Sequence, residues 1–439
     1  MKDKALHLGK KILRHELITG SLFIFIGSLL SSFIAFILNL FFARNLTASD
    51  YGIYASLISL FTLTIIPAQS ISTVIVKFAT DYLSREKFDF ASEFYKKTFK
   101  VFFIVSILIF VTFLTLSLSI SSFLRIENPL YTAIIGVAIC INYLSIVNGA
   151  YIQSLLKFSF SSLVLTISAF VRLISGIILV LIGYRIFGAL IAVVLALVTS
   201  FIMGFIPVKK IAFRKNGSKK IDLKLKEIII YALPACISVL SLTSLISMDV
   251  ILVKHFFKPV EAGYYGGLSL IGRIIYYFTG MIPNVMFPLI VKRNSKGQSI
   301  TNLFYLAIFL VVLPSVAITS FYFIFSEFSV NLILGKSYIA IAPYIGIFAV
   351  FVTVFSILNV FVNFFLSVGK TMVFIPVFIT TLIQVLGICL FHNSFFQVIG
   401  VSLMSSSLLL LYLLIYFAKN YFDISAIKKS LSVSSNQTI

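Results

Sequence analysis

The sequence predicts an all-α polytopic membrane protein with about twelve transmembrane helices in two parallel six-helix lobes, and three observations carry that prediction. Hydrophobic residues make up 60% of the 439 positions and charged residues only 11%, with a mean hydropathy of +1.10. A water-soluble chain of this length could not bury so much apolar surface, whereas a bilayer accepts it. Charge-free runs such as Leu17 to Ala43 and Val101 to Leu124 are long enough to cross a hydrocarbon core of ~30 Å, which takes about 20 residues. Finally, one junction occurs twice. Asp50-Tyr51-Gly52-Ile53-Tyr54-Ala55-Ser56-Leu57 returns as Glu261-Ala262-Gly263-Tyr264-Tyr265-Gly266-Gly267-Leu268, as expected of a duplicated bundle.

Charges, prolines and glycines divide the chain into spans. The first covers 17–43, and the second, 51–76, stops at Lys77. The third, 101–124, lies between Lys100 and Arg125, and the fourth, 130–154, follows Pro129. Short turns near Phe158 and Tyr184 separate 161–183 and 186–207. The second half supplies 228–253, 264–291, 300–325, 343–367, 371–391 and 395–417. The repeated junction then joins helices 1–2 and 7–8, so both halves have one orientation and the duplication is parallel. The expected organisation is an N-terminal lobe (1–208), a basic linker (209–227), a C-terminal lobe (228–418) and a tail (419–439). With one gap residue allowed, Arg44 aligns with Lys254 and Asn39 with Asp249.

The net charge of +21 follows topology rather than nucleic acid. With both termini inside, cytoplasmic segments hold about 27 of the 35 Lys and Arg. The densest of these segments are Lys2 to Arg14, Lys77 to Lys100, Lys209 to Lys226 and the tail from Lys419. They suit anionic headgroups, and no basic groove interleaved with aromatic residues accompanies them. The linker from Lys209 to Glu227 reads as a surface-hugging segment or a flexible tether. Cys140, Cys236 and Cys389 all fall inside helices, and His7, His15, His255 and His392 are scattered. Neither disulfides nor a metal site is expected, and no cofactor or ATPase motif appears. Exterior loops are short, the longest being Ser326 to Ala342, which disfavours a glycan-polymerising or ligating enzyme.

The candidate site therefore rests on polar residues inside the bilayer, where charge is costly. Arg273 falls near the middle of helix 8, Arg172 is central in helix 5, and Asp249 lies near the outer end of helix 7. An Asp249–Arg273 pair is reachable, either as a structural ion pair or as a cavity cation controlled by an acid. Arg44 and Lys254 mark the outer mouths of helices 1 and 7, as exit cations or interface anchors. Asn39, Gln69, Asn284 and Gln384 offer hydrogen bonds to cargo or between helices. Pro67, Pro234, Pro283 and Pro288 invite kinks in helices 2, 7 and 8.

The stretch Phe41-Phe42-Ala43-Arg44-Asn45-Leu46-Thr47-Ala48-Ser49-Asp50-Tyr51-Gly52-Ile53-Tyr54 resembles the polysaccharide-biosynthesis (Wzx-type) branch of the multidrug/oligosaccharidyl-lipid/polysaccharide exporter superfamily. Pro234, Met248-Asp249-Val250-Ile251-Leu252, Val260-Glu261-Ala262-Gly263-Tyr264-Tyr265 and the proline-containing end of helix 8 look similar too. The resemblance implies two lobes around a central cleft lined by helices 1, 2, 7 and 8. It further implies a cell-membrane flippase that moves an undecaprenyl-diphosphate-linked oligosaccharide from the inner to the outer leaflet by alternating access. Arg273 would then contact the anionic headgroup, with Arg44 and Lys254 at the exit. Expected partners are membrane lipids, the lipid-linked cargo and polysaccharide-assembly proteins such as a polymerase, with the chain itself a monomer. A cation-coupled drug or solute exporter of the same fold is the alternative, although it would favour an acidic cavity.

Overall fold

The computed structural model describes residues 26–214, 225–294 and 298–421. The basic segment from Lys2 to Arg14, the middle of the linker and most of the tail lie outside these residues. Seventeen α-helices are described. In the first half they are α1 (Ile26–Asn45), α2 (Ala48–Ser84), α3 (Phe88–Thr115), α4 (Ser117–Phe123), α5 (Leu130–Ser154), α6 (Phe158–Leu179), α7 (Arg185–Phe205) and α8 (Lys209–Ala212). There follow α9 (Leu225–Phe256), α10 (Pro259–Gly272), α11 (Ile274–Thr279), α12 (Met281–Asn294), α13 (Thr301–Ile324), α14 (Ser326–Ile333), α15 (Ala342–Ser367), α16 (Phe374–Leu390) and α17 (Phe395–Tyr421). Among the described residues there are no strands.

Eleven continuous helical stretches are long and apolar enough to cross a membrane, and one of them, Phe158–Phe205, holds 48 residues. A straight helix of that length would run ~70 Å at 1.5 Å per residue, over twice the hydrocarbon thickness. The chain instead reverses at a single π-type turn, Val180–Tyr184, where Gly183 has φ 106° and Arg185 φ 46°. Helices α6 and α7 then pack against each other, which gives the twelve spans expected from sequence.

Helix ends differ from the expected ones in an instructive way. Lys77 to Lys100 is no loop: α2 runs on to Ser84 and α3 starts at Phe88. Hydropathy reports where apolar character stops, and a helix can continue past that point as long as its backbone hydrogen bonds are met. Three turns with no glycine end α2, α4 and α5. Glu86, Arg125 and Leu156 take left-handed backbone, and the following amides reach back five residues, as Lys87 does to Tyr82 and Lys157 to Ile152. This is the Schellman closure, which usually employs glycine. Helix 8 is irregular within one continuous span, Pro259–Val291: turns at Arg273 and Gly280, both with right-handed helical dihedrals, divide it into α10, α11 and α12. The exterior segment from Ser326 to Ala342 folds into α14 and a 3₁₀ turn over Lys336–Ile341.

The chain forms two compact units. The first joins Met1–Gly272 with Phe325–Ile345, and the second joins Arg273–Ile324 with Gly346–Ile439. In the first, α2 is the hub and touches α3, α5, α7, α9 and α10. Buried side chains stitch these helices together through hydrogen bonds: Tyr95 to Asn148 (2.8 Å), Tyr151 to the Ala91 carbonyl (2.9 Å) and Tyr143 to the Thr64 carbonyl (2.9 Å). The last falls on the turn that Pro67 interrupts, where backbone groups need outside partners. In the second unit, Phe304, Phe361, Phe364 and Phe417 form an aromatic cluster joining α13, α15 and α17. Gln384 of α16 donates to Ser402 of α17 (2.9 Å), and Thr319 shares a hydrogen bond with Thr353 (2.9 Å). Such polar links stabilise helix contacts that burial in lipid does not drive.

The repeated junction sets the closest approach in the first unit. A Cβ on Gly52 would lie 2.7 Å from the Gly263 nitrogen, and one on Gly263 only 1.7 Å from the Ala48 carbonyl oxygen. The equivalent glycines of the two copies thus bring the backbones of α2 and α10 together. Gly263→Val is expected to cost about 1–3 kcal/mol or more, the scale of core overpacking, and to lower the yield of monodisperse protein on detergent chromatography. Gly149→Ala, where nothing lies within 4 Å, is expected to leave that yield unchanged or raise it.

Candidate functional site

The two copies of the junction align without a gap. Helix α1 ends at Asn45 and α2 begins at Ala48; α9 ends at Phe256 and α10 begins at Pro259. Equal spacing places Arg44 opposite His255, Ala43 opposite Lys254 and Leu38 opposite Asp249. The gapped pairing of Arg44 with Lys254 and of Asn39 with Asp249 is therefore corrected. That pairing matches charge with charge, whereas helix register decides which positions are equivalent.

The contacts agree with the corrected register. Arg44 donates through Nε to the Ile333 carbonyl (2.8 Å) and through a terminal nitrogen to that of Leu332 (2.5 Å), at the C-terminal end of α14. His255 lies 2.6 Å from the Phe123 carbonyl oxygen through Nδ1 and stacks on the Phe123 ring, at the C-terminal end of α4. Each copy thus sets a basic side chain on the carbonyl end of a short helix belonging to the other half of the sequence. Cations are favourable there because helix dipoles end in unsatisfied carbonyls.

Lys254 has a different role. It is 1% exposed, and its ammonium has no hydrogen-bond partner. Arg125, Asp50 and Glu127 are near enough to act on it electrostatically. The two helix starts are capped by different side chains. At α2 the Thr47 hydroxyl accepts from the Asp50 amide (3.2 Å), and at α10 the Glu261 carboxylate accepts from the Lys258 amide (3.1 Å), two halves of a capping box.

Tyrosines at equivalent positions of the repeat hold the intramembrane charges of this unit. Arg172 of α6 is half-buried and donates to the Tyr54 hydroxyl (2.7 Å), leaving its Nε unpartnered. Asp249 of α9 is fully buried; it accepts from the Tyr265 hydroxyl (3.0 Å) and from the Val250 amide (2.8 Å). Tyr54 and Tyr265 stand in plain view within the repeat, as its one shared polar side chain besides the acid. A search for charge alone passes over them. Arg273 is half-buried and occupies the turn between α10 and α11.

Among neutral candidates, Asn39 donates to the Ala35 carbonyl of its own helix (2.7 Å), while Gln69 and Asn284 are exposed. Pro67 and Pro234 lie inside α2 and α9, and Pro288 inside α12. Pro283 sits in the first turn of α12, where its missing N–H has no helical partner to lose. Pro314, inside α13, joins the helix prolines although the sequence reading did not include it.

The same fold occurs in solved transporters. An inward-facing multidrug resistance MATE family transporter of the MOP superfamily matches with TM-score 0.70 and 14% identity, over 90% of this chain and 95% of that one. The lipid II flippase MurJ in an inward closed conformation matches with TM-score 0.68 and 15% identity, over 89% and 87%. The MATE multidrug transporter DinF-BH, in a ligand complex, gives 0.67 and 13%, over 92% and 95%. No curated protein matches the sequence. The family model described as polysaccharide biosynthesis protein matches residues 41–343. The chain belongs to that family, as a multi-pass membrane protein with a transporter and flippase fold.

Two substitutions test the contacts described. Arg44→Ala should lower thermal stability in detergent by about 0.5–1 kcal/mol, since the cap is solvent-screened, and Arg44→Lys should recover only part of it because a fork is lost. Tyr265→Phe removes a buried hydrogen bond to a carboxylate and is expected to cost about 1.5–3 kcal/mol, measured by the same thermal unfolding.

Proposed function

We propose that the protein is a flippase that moves a polyprenyl-diphosphate-linked oligosaccharide from the inner to the outer leaflet by alternating access, for surface polysaccharide assembly. Two six-helix lobes, 1–208 and 228–418, would move against each other with both termini in the cytoplasm of a cell membrane. One observation supports this reading beyond the family: the difference in burial between the intramembrane cations and the intramembrane acid. Arg172 and Arg273 are half-buried, whereas Asp249 is fully buried and already accepts two hydrogen bonds. Guanidinium groups match phosphate oxygens in both charge and geometry. A cation exporter would need an acid available to its cargo.

In this reading Arg273, in the turn between α10 and α11, meets the diphosphate or acidic sugars, and Arg172 is proposed separately as an anion contact of its own unit. The isoprenoid tail stays in lipid while the head passes. No ATPase motif is present, so the energy comes from an electrochemical gradient or from downhill consumption of cargo. A glycan polymerase is the natural partner, because exported repeat units must be joined. A drug or small-solute exporter of the same fold is the second reading, and the likeness to multidrug transporters favours it equally at the level of fold.

The deciding experiment deletes the gene and quantifies lipid-linked oligosaccharides by mass spectrometry, with leaflet exposure read by a membrane-impermeant sugar oxidant. Complete repeat units, protected from the oxidant, are expected to accumulate. Wild type should reverse this and Arg273→Ala should not. Normal amounts, fully exposed, would turn the assignment to an exporter.

A further inference from the structure

The gap-free register shows where the second copy departs from the first. At two buried positions the first copy carries Leu38 and Ala43, and the second carries Asp249 and Lys254, all four at most 1% exposed. Because the first copy builds the same helix and turn with apolar residues there, the fold does not need these charges. Tyr265 and the Val250 amide accommodate Asp249. Nothing comparable is provided for Lys254. Its ammonium has no hydrogen-bond partner, which is among the costlier arrangements a protein can hold. The charges around it are Asp50 at the start of α2 and Arg125 and Glu127 between α4 and α5, none within ion-pair distance. Asp50 mirrors it, with Oδ2 buried and also without a partner.

We propose that Lys254 is a latent anion contact, enclosed while the α1–α2 and α9–α10 turns are closed on each other and delivered to the diphosphate of the cargo when they part. The proposal deepens the flippase reading and rests on it. In the closed arrangement Asp50 supplies a distant counter-charge across the contact at Gly52 and Gly263. Parting of the two turns removes Asp50 and wets the ammonium. An entering phosphate then replaces the carboxylate as its partner, by a shorter charge-assisted hydrogen bond. The enclosed, unpartnered ammonium also makes closure less favourable, so that anionic cargo stabilises the open turns through its preference for them.

The test uses full-length protein with Cys140, Cys236 and Cys389 replaced by alanine, carrying Ala43→Cys as a buried reporter beside the α1–α2 turn, with Lys254 either kept or replaced by alanine, and reconstituted in liposomes. Reaction of the introduced thiol with a charged, membrane-impermeant methanethiosulfonate is followed with undecaprenyl diphosphate or with neutral undecaprenol in the bilayer. With Lys254 present, the diphosphate is expected to speed labelling about tenfold, the scale of one charge-assisted hydrogen bond, and the alcohol not at all; with Lys254→Ala the two lipids should give the same rate. Equal rates with both lipids when Lys254 is present, or a thiol that never reacts, would overturn the proposal. In cells, Lys254→Cys in the same cysteine-free background should lose export of lipid-linked oligosaccharide, regain it on aminoethylation of the thiol and not regain it on methylthiolation. Recovery with both reagents would show that bulk rather than charge matters and also overturns it. Lys254→Ala, which copies Ala43, is expected to unfold no more easily than wild type; a lowered melting temperature would make the ammonium a structural group instead. If gene deletion leaves the lipid-linked oligosaccharides normally exposed, the flippase reading falls by itself, and labelling in liposomes still decides whether an anionic lipid opens this site.

Discussion

Much of the first unit depends on one steric constraint, the backbone-to-backbone approach of α2 and α10 at Gly52 and Gly263. A side chain on either glycine would enter the opposite backbone, so the helices can come this close only where both copies of the junction lack a Cβ. Small residues at such crossings are what a bilayer demands, because lipid tails provide no hydrophobic drive for helices to associate and close packing must supply it. With the two junctions held together, each presents a basic side chain to the carbonyl end of a short helix from the other half of the sequence. The relation is that of an isologous contact, formed here within one chain.

That pseudo-symmetry gives a ruler for function. Where the copies agree, as in Gly52 with Gly263 and Tyr54 with Tyr265, the residues do scaffold work on both sides. The tyrosines illustrate how a scaffold position acquires local chemistry: one hydroxyl accepts from Arg172 and the other donates to Asp249. Where the copies disagree at buried positions, the departure marks chemistry that packing alone does not require. Lys254 stands out on this measure, more than Arg44, whose guanidinium is engaged by two backbone carbonyls.

Several polar residues that could have formed a cargo site are instead helix glue. Gln384 joins α16 to α17, Asn39 returns its amide to its own backbone, and Tyr95 with Asn148 links α3 to α5. In lipid each of these groups must find a partner within the protein, and most find one on a neighbouring helix. The intramembrane arginines are distinguished by being half-exposed, and the family to which the chain belongs handles polysaccharide. The proposal of an anionic cargo rests on the two together.

Twelve spans and the duplicated junction were readable from sequence, because apolar length is itself the physics of membrane insertion. The Gly52 and Gly263 pair was visible as a repeat, and so was the intramembrane position of Arg172, Arg273 and Asp249. The turns at Glu86, Arg125 and Leu156 were hidden, since a Schellman closure without glycine leaves no compositional mark. The register of the repeat was likewise beyond sequence, where matching Arg44 with Lys254 looked chemically reasonable. Only tertiary structure decided that Arg44 caps a helix while Lys254 is enclosed without a partner. Burial and hydrogen-bond partners depend on which helices meet, and a single sequence does not state that.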